Sequence, residues 1–194
     1  MLYLFLKPIA ILLFKFLFHI KVFGKENIPK RGGFILASNH ISYLDPVTLG
    51  VACPRRLNFM AKEELFQNPW FSWFISRLGA FPVKRNSADL SALKEAIRRL
   101  RQSEVLTIFP EGSRRIDGTS TEPQAGIGFL VAKLALPVVP AFIKGTDIAL
   151  PKGAKFIRFH QIYVYFGKQI LFERGLPYKD IAQRIMQDIG QLSC

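Results

Sequence analysis

The sequence predicts an α/β fold: a layered, mostly parallel central sheet flanked by helices, with an N-terminal hydrophobic membrane-associating helix. Three observations lead there. Short apolar runs of strand length alternate with segments of helical periodicity, the order that builds a parallel sheet covered by helices. A chain of 194 residues has the size of one domain with a sizeable core. Residues 2–20, LYLFLKPIAILLFKFLFHI, are almost wholly apolar and precede the first strand-like run. No repeat, low-complexity tract or linker interrupts the rest. The organisation expected is therefore a membrane-associating helix over residues 1–20 and one folded domain over 21–194.

The N-terminal segment nearly reaches the roughly 20 apolar residues that a spanning helix needs. Lys7 and Lys15 interrupt it. At about 100° per residue, Lys7, Lys15 and His19 fall within roughly a third of the helix circumference. That arrangement suits a helix lying in the membrane interface with its lysines reaching lipid phosphates; a buried core helix is the plainer alternative. No small-x-small cleavage pattern follows, which argues against a signal peptide.

Strands are expected at residues 20–24, 33–38, 57–61, 80–83, 104–109, 137–143 and 157–166, and helices at 43–52, 69–78, 87–101, 125–135 and 178–192. The helix from 43 has Asp45-Pro46 at its start, with Asp45 as a candidate cap. Asn68 and Pro69 have the character of a cap and first residue for the next, whose Trp70, Phe71, Trp73 and Phe74 suit either core or a lipid interface. The helix over 87–101 has Asn86 or Ser87 to cap it. Asp89 complements its start, Leu90, Leu93, Ile97 and Leu100 form the inward stripe, and Lys94, Arg98, Arg99 and Arg101 face outward.

Lys and Arg number 27 against 14 Asp and Glu, a net charge of +13, so a polyanionic partner is expected. The 18 phenylalanines cluster in apolar runs instead of alternating with basic residues. That favours an anionic membrane surface over nucleic acid. Cys53 and Cys194 lie far apart, which points to a reducing compartment without a disulfide framework. His19, His40 and His160 are scattered and give no metal-ligand spacing.

Sites in such sheets gather beyond the carboxyl ends of the strands. Three loops meet that condition. The first, Ser38-Asn39-His40-Ile41-Ser42-Tyr43-Leu44-Asp45, holds a histidine and a carboxylate. Histidine can take a proton from a hydroxyl, and a carboxylate can fix its tautomer. With no covalent nucleophile evident (Ser42 lacks a G-x-S-x-G elbow), a substrate hydroxyl is expected to attack. An ordinary hydrogen-bonded histidine beside a capping aspartate is the alternative. The second loop ends in Lys84-Arg85; the third runs Phe109-Pro110-Glu111-Gly112-Ser113-Arg114-Arg115. Guanidinium forks grip phosphate, and glycine lets the backbone approach. Taken singly, these cations also fit a solvated surface.

These residues resemble the signature blocks of a known family. Asn39-His40-x4-Asp45 resembles the NHx4D block of the glycerolipid acyltransferases, and Phe109–Arg114 their FPEGTR block with Ser113 for threonine. Gly79–Arg85 resembles the second block, with Lys84 where aspartate is common, and Val138-Val139-Pro140-Ala141 the fourth. The blocks follow family order over residues 39–141, and the branch resembled is the short bacterial 1-acyl-sn-glycerol-3-phosphate acyltransferases. The resemblance implies acyl transfer from acyl-CoA or acyl carrier protein to the 2-hydroxyl of lysophosphatidate, making phosphatidate. It implies no cofactor beyond that thioester co-substrate, no nucleic acid, and a place on the cytoplasmic face of a bacterial inner membrane. In its terms His40 is the general base and Asp45 orients it. Arg85 and Arg114 bind the glycerol phosphate, Glu111 and Gly112 shape that pocket, and Val139 and Pro140 line the acyl channel. Rival readings are transfer to another acceptor (glycerol-3-phosphate, a lysophospholipid or an ornithine-type lyso-lipid) and a basic binding module without catalysis.

Overall fold

The computed structural model describes residues 2–84, 89–112, 125–151 and 153–193. The elements in chain order are α1 (Leu2–Phe18), β1 (Lys21–Phe23), β2 (Phe34–Ser38), α2 (Asp45–Ala52), β3 (Leu57–Lys62), α3 (Pro69–Arg77) and β4 (Ala80–Val83). They continue with α4 (Leu90–Arg101), β5 (Val105–Ile108), α5 (Ala125–Leu134), β6 (Val138–Lys144), α6 (Thr146–Ala149), β7 (Tyr163–Phe166) and α7 (Tyr178–Gln191). The strands form one sheet in the order β1-β7-β6-β2-β5-β3-β4.

The five strands from β6 to β4 are parallel, as the alternation of strand and helix predicts. β7 runs antiparallel to β6, and β1 pairs parallel to β7, so the edge pair is reversed. The run 157–166 yields only four residues of strand. β6 ends at Lys144, which pairs with Tyr163, and the chain then turns into α6. Residues 157–162 therefore lack a ladder partner on that side, and Ile157 and Phe159 stay exposed. α6 itself was not expected from the sequence.

The sheet separates two apolar cores. On one side Phe14 and Phe18 of α1 and Leu49, Val51 and Ala52 of α2 pack on Phe34, Leu36, Val139, Ala141 and Val164. On the other, α4, α5 and α7 pack on Ile35, Leu106, Phe81 and Val138. Alternate residues of β2 and β5 serve opposite cores, as the two-residue period of a strand requires. The helices α5 and α7 meet closely: a Cβ at Gly128 would lie 2.0 Å from the Tyr178 carbonyl oxygen. Gly128→Ala is expected to cost about 1–3 kcal/mol through overpacking, read as a lower denaturation midpoint.

Local packing corrects four expectations. Asp89, not Asn86 or Ser87, caps α4: its carboxylate accepts from the amides of Ser91 and Ala92 at 3.0 Å each. The Lys84 amide donates to it as well, and together these bonds hold the Asp89 carboxyl far below the usual range. Asn86 and Ser87 lie outside the described residues. The inward stripe of α4 is Ala92, Ala96 and Leu100, with Leu93 and Ile97 half-buried, while Leu90 is exposed. Arg99 turns inward and donates to Asn58 Oδ1 and the Gly79 carbonyl. On α1, Lys7 does not reach outward: its Nζ donates to the Cys53 carbonyl at 2.7 Å. Burial there pushes the Lys7 ammonium pKa down and the Cys53 thiol pKa up.

Among the described residues no helix is long and apolar enough to cross a membrane. α1 has 17 residues and exposes Leu4, Phe5, Leu12 and Phe16.

Candidate active site

β2 is buried along its whole length and delivers its last residues to the carboxyl edge of the sheet. There Asn39 clips the following loop to β6. Its Nδ2 donates to the Ile143 carbonyl and its Oδ1 accepts from the Ile143 amide, both at 2.8 Å. The next residue, His40, donates from Nδ1 to Asp45 Oδ2 at 2.8 Å. Asp45 is fully buried, and the His40 side chain is 13% exposed.

A buried carboxylate is costly unless its oxygens find donors. Asp45 Oδ2 accepts from the amides of Ile41 at 2.7 Å and Ser42 at 2.8 Å in addition to the imidazole. Oδ1 accepts from the Thr146 hydroxyl at 2.6 Å. The carboxylate therefore turns back to its own loop and does not cap α2; the residue at the cap position is Leu44, which makes no side-chain bond there. The Ser42 hydroxyl donates to the Leu150 carbonyl at 3.0 Å, so its proton is already committed. With Nδ1 bonded to the carboxylate, Nε2 is the ring nitrogen left to accept a proton. Phe109, just past β5, stacks on the imidazole with centroids 4.1 Å apart and planes at 19°, fixing the ring's tilt.

His40 opens onto a cavity of about 410 Å³ over the ends of β3, β4 and β5. Leu90, Leu93, Ile127, Phe129 and Leu130 give it an apolar wall, which explains the exposure of Leu90, and Lys84 stands on its rim. Lys84 is 3.8 Å from Glu63 and mostly exposed. Gly112 lines the cavity and turns the chain at φ +67°; Glu111 beside it is buried. Arg85 and Arg114 lie outside the described residues. Val139 and Pro140 are buried in β6 and are not among the residues lining this cavity; Val139 packs in the core beneath α1 and α2. The fourth block, Val138–Ala141, forms the first half of β6 and pairs with β2. Among the described residues no group of histidine, cysteine or carboxylate side chains could hold a metal ion.

Thr146 was not singled out from the sequence. It sits directly after Gly145, whose φ of +93° and closeness to the Gln161 carbonyl (2.3 Å from a would-be Cβ) admit no side chain. That turn at the end of β6 swings the hydroxyl onto the carboxylate. Thr146→Val keeps the shape and removes the donor. If His40 serves as a base, the variant is expected to lower kcat by about 10- to 100-fold through loosened positioning, with substrate KM unchanged, and Thr146→Ser should restore the rate. Steady-state kinetics of the two variants checks this.

The Acyltransferase family model matches residues 19–144. The chain is 38% identical over 128 residues to the 1-acyl-sn-glycerol-3-phosphate acyltransferase of Bacillus subtilis, a match covering 65% of this chain and 63% of that one. It is 38% identical over 130 residues to the enzyme of the same name from Streptococcus pneumoniae, covering 62% and 47%. The chain thus spans less than two thirds of the length of these curated relatives. Among solved structures it is similar to the 1-acyl-sn-glycerophosphate (LPA) acyltransferase PlsC of Thermotoga maritima. The TM-score is 0.81 at 26% identity, over 99% of this chain and 80% of that one.

Proposed function

Because the chain belongs to the Acyltransferase family, we propose that it transfers an acyl group from a thioester donor, acyl-CoA or acyl carrier protein, to the 2-hydroxyl of lysophosphatidate, making phosphatidate. The observation that carries this reading is the His40–Asp45 hydrogen bond at the mouth of an apolar cavity. His40 Nε2 takes the hydroxyl proton as the glycerol oxygen attacks the thioester carbonyl. Asp45 keeps the other ring proton on Nδ1 and stabilises the imidazolium that forms. Collapse of the tetrahedral intermediate expels the thiolate, which takes up the proton from His40. A thioester is already activated, so no acyl-enzyme and no cofactor is required. Holding two substrates together provides much of the remaining rate.

Arg85 and Arg114 bind the acceptor phosphate in this proposal, Lys84 adds charge, and Glu111 and Gly112 shape that pocket. The apolar wall of the cavity suits an acyl chain. Arg114→Ala is expected to raise the acceptor KM about tenfold or more while changing kcat little, the loss of one charge-assisted phosphate contact. Residues 1–20 serve as the membrane-associating element, lying in the interface of an anionic membrane on its cytoplasmic face, and 21–194 as the transferase. The exposed apolar residues of α1 and the net charge of +13 support that placement.

The test is direct: purified protein with lysophosphatidate and each donor in parallel, products identified by mass spectrometry. Phosphatidate from either donor supports the reading. Its absence with both, alongside turnover of glycerol-3-phosphate or another lyso-lipid, moves the assignment to that acceptor.

A further inference from the structure

The two helical layers differ in kind. α4 and α7 carry Glu95, Asp180 and Asp188 among lysines and arginines, with ion pairs such as Arg98–Glu95 and Arg184–Asp188. Their only large exposed apolar side chains are Leu90 and Tyr178. Helices α1 and α2 carry a single carboxylate, Asp45, which is buried; the short α6 on the same side adds Asp147.

α3 extends that second layer. The right-handed crossover from β3 to β4 puts it on the side of α2. Arg56 ties it to α1: the guanidinium lies 5.2 Å over the Tyr3 ring and donates to the Arg77 carbonyl at 2.9 Å. The start of α1 thus meets the end of α3. On α3, Trp70 is 83% exposed and Trp73 51%, with Phe71 and Phe74 exposed beside them. No acidic residue occurs between Glu64 and Asp89. Asn68 Oδ1 accepts from the Phe71 amide, so the aromatics stand on a capped helix and not on a loose loop. Arg77 stacks over Trp73 at 5.5 Å.

Four exposed aromatics in nine residues, on a helix that carries no carboxylate and has Arg56 and Arg77 beside it, form a surface that water disfavours and an anionic interface favours; the nearest carboxylates, Glu63 and Glu64, lie in the turn before α3. Tryptophan has the amphipathic ring that settles at headgroup level. The geometry points to α3 as a second lipid contact. With α1 it forms a two-helix footing that sets the protein with its strands running along the bilayer plane, the α4–α5–α7 layer facing away. The occupant is the headgroup region of an anionic bilayer. This goes beyond the proposed reaction, and does not depend on which acceptor is used.

The chain has two tryptophans, both on α3. Intrinsic fluorescence therefore reports this helix alone. On adding vesicles of phosphatidylcholine and phosphatidylglycerol, the emission should move to shorter wavelength, and acyl-chain-brominated lipid should quench it. A Trp70→Ser/Trp73→Ser variant should co-sediment with such vesicles about tenfold more weakly, the loss expected from removing partly buried aromatics. Its circular dichroism, and its turnover of a short-chain acceptor in solution, should match the parent. Co-sedimentation with unshifted, unquenched emission would overturn the proposal, as would failure to bind these vesicles at all. So would tryptophans already shielded without lipid in a dimer seen by analytical ultracentrifugation. A protein that shows the shift and quenching but no acyl transfer would leave the footing standing and remove only the reaction.

Discussion

His40→Ala is expected to lower kcat by about 10²–10⁴-fold, the range that a positioned general base provides, while the protein stays folded. The fold survives because the carboxylate the histidine leaves behind is not stranded. Asp45 keeps the amides of Ile41 and Ser42 on Oδ2 and the Thr146 hydroxyl on Oδ1. No buried charge loses its last partner, so the stability cost reduces to the contacts of a ring stacked on Phe109, about 1 kcal/mol. Steady-state kinetics with a thermal-unfolding control separates the two effects. A variant that unfolds near the parent's midpoint yet turns over at the parent's rate would remove His40 from the chemistry.

The second large effect is expected from Asp45→Asn, again about 10²–10⁴-fold in kcat. The geometry explains why this variant tests charge without loss of shape. Three N–H donors converge on Oδ2, so the asparagine oxygen must occupy that position and its NH2 must face Thr146. The Thr146 hydroxyl can rotate to accept. Every bond is kept in altered form, but the imidazole now donates to a neutral amide, and an imidazolium loses its counter-charge. The expected outcome is a fall in kcat with little change in acceptor KM. A near-normal rate would reduce Asp45 to a bracket for its loop.

Much of the fold was legible because buried parallel strands write themselves as short apolar runs. Phe34–Ser38, Val105–Ile108 and Val138–Lys144 all lie between helical segments and all reach the core. What was not legible depends on neighbours far along the chain. The run before Tyr163 has strand composition, yet only the length of β6 decides how much of it can pair. Asn86, Ser87 and Asp89 are all of capping type, and composition favours none of them; the hydrogen bonds to the amides of Ser91 and Ala92 single out Asp89. Leu90 fits the helical stripe by period but, as the first residue of α4, lines the cavity.

The site divides the same way. His40 and Asp45 stand close in sequence, and their hydrogen bond was expected from that spacing. Thr146, 101 residues from Asp45, has no local mark except the glycine before it. Val139 and Pro140 belong to a block that resembles a family signature, and a signature does not say whether a residue touches substrate or props the strand that does. Arg85 and Arg114 lie outside the described residues.

α2 begins at Asp45, and Lys7 of α1 grips the carbonyl at its far end, Cys53. A rod of about 12 Å, from eight residues at 1.5 Å each, therefore runs from the N-terminal helix to the carboxylate. Lys7 and the His40-bonded carboxylate therefore hold opposite ends of one short helix. Anything that displaces α1 from Cys53 would bear on the helix that carries the carboxylate.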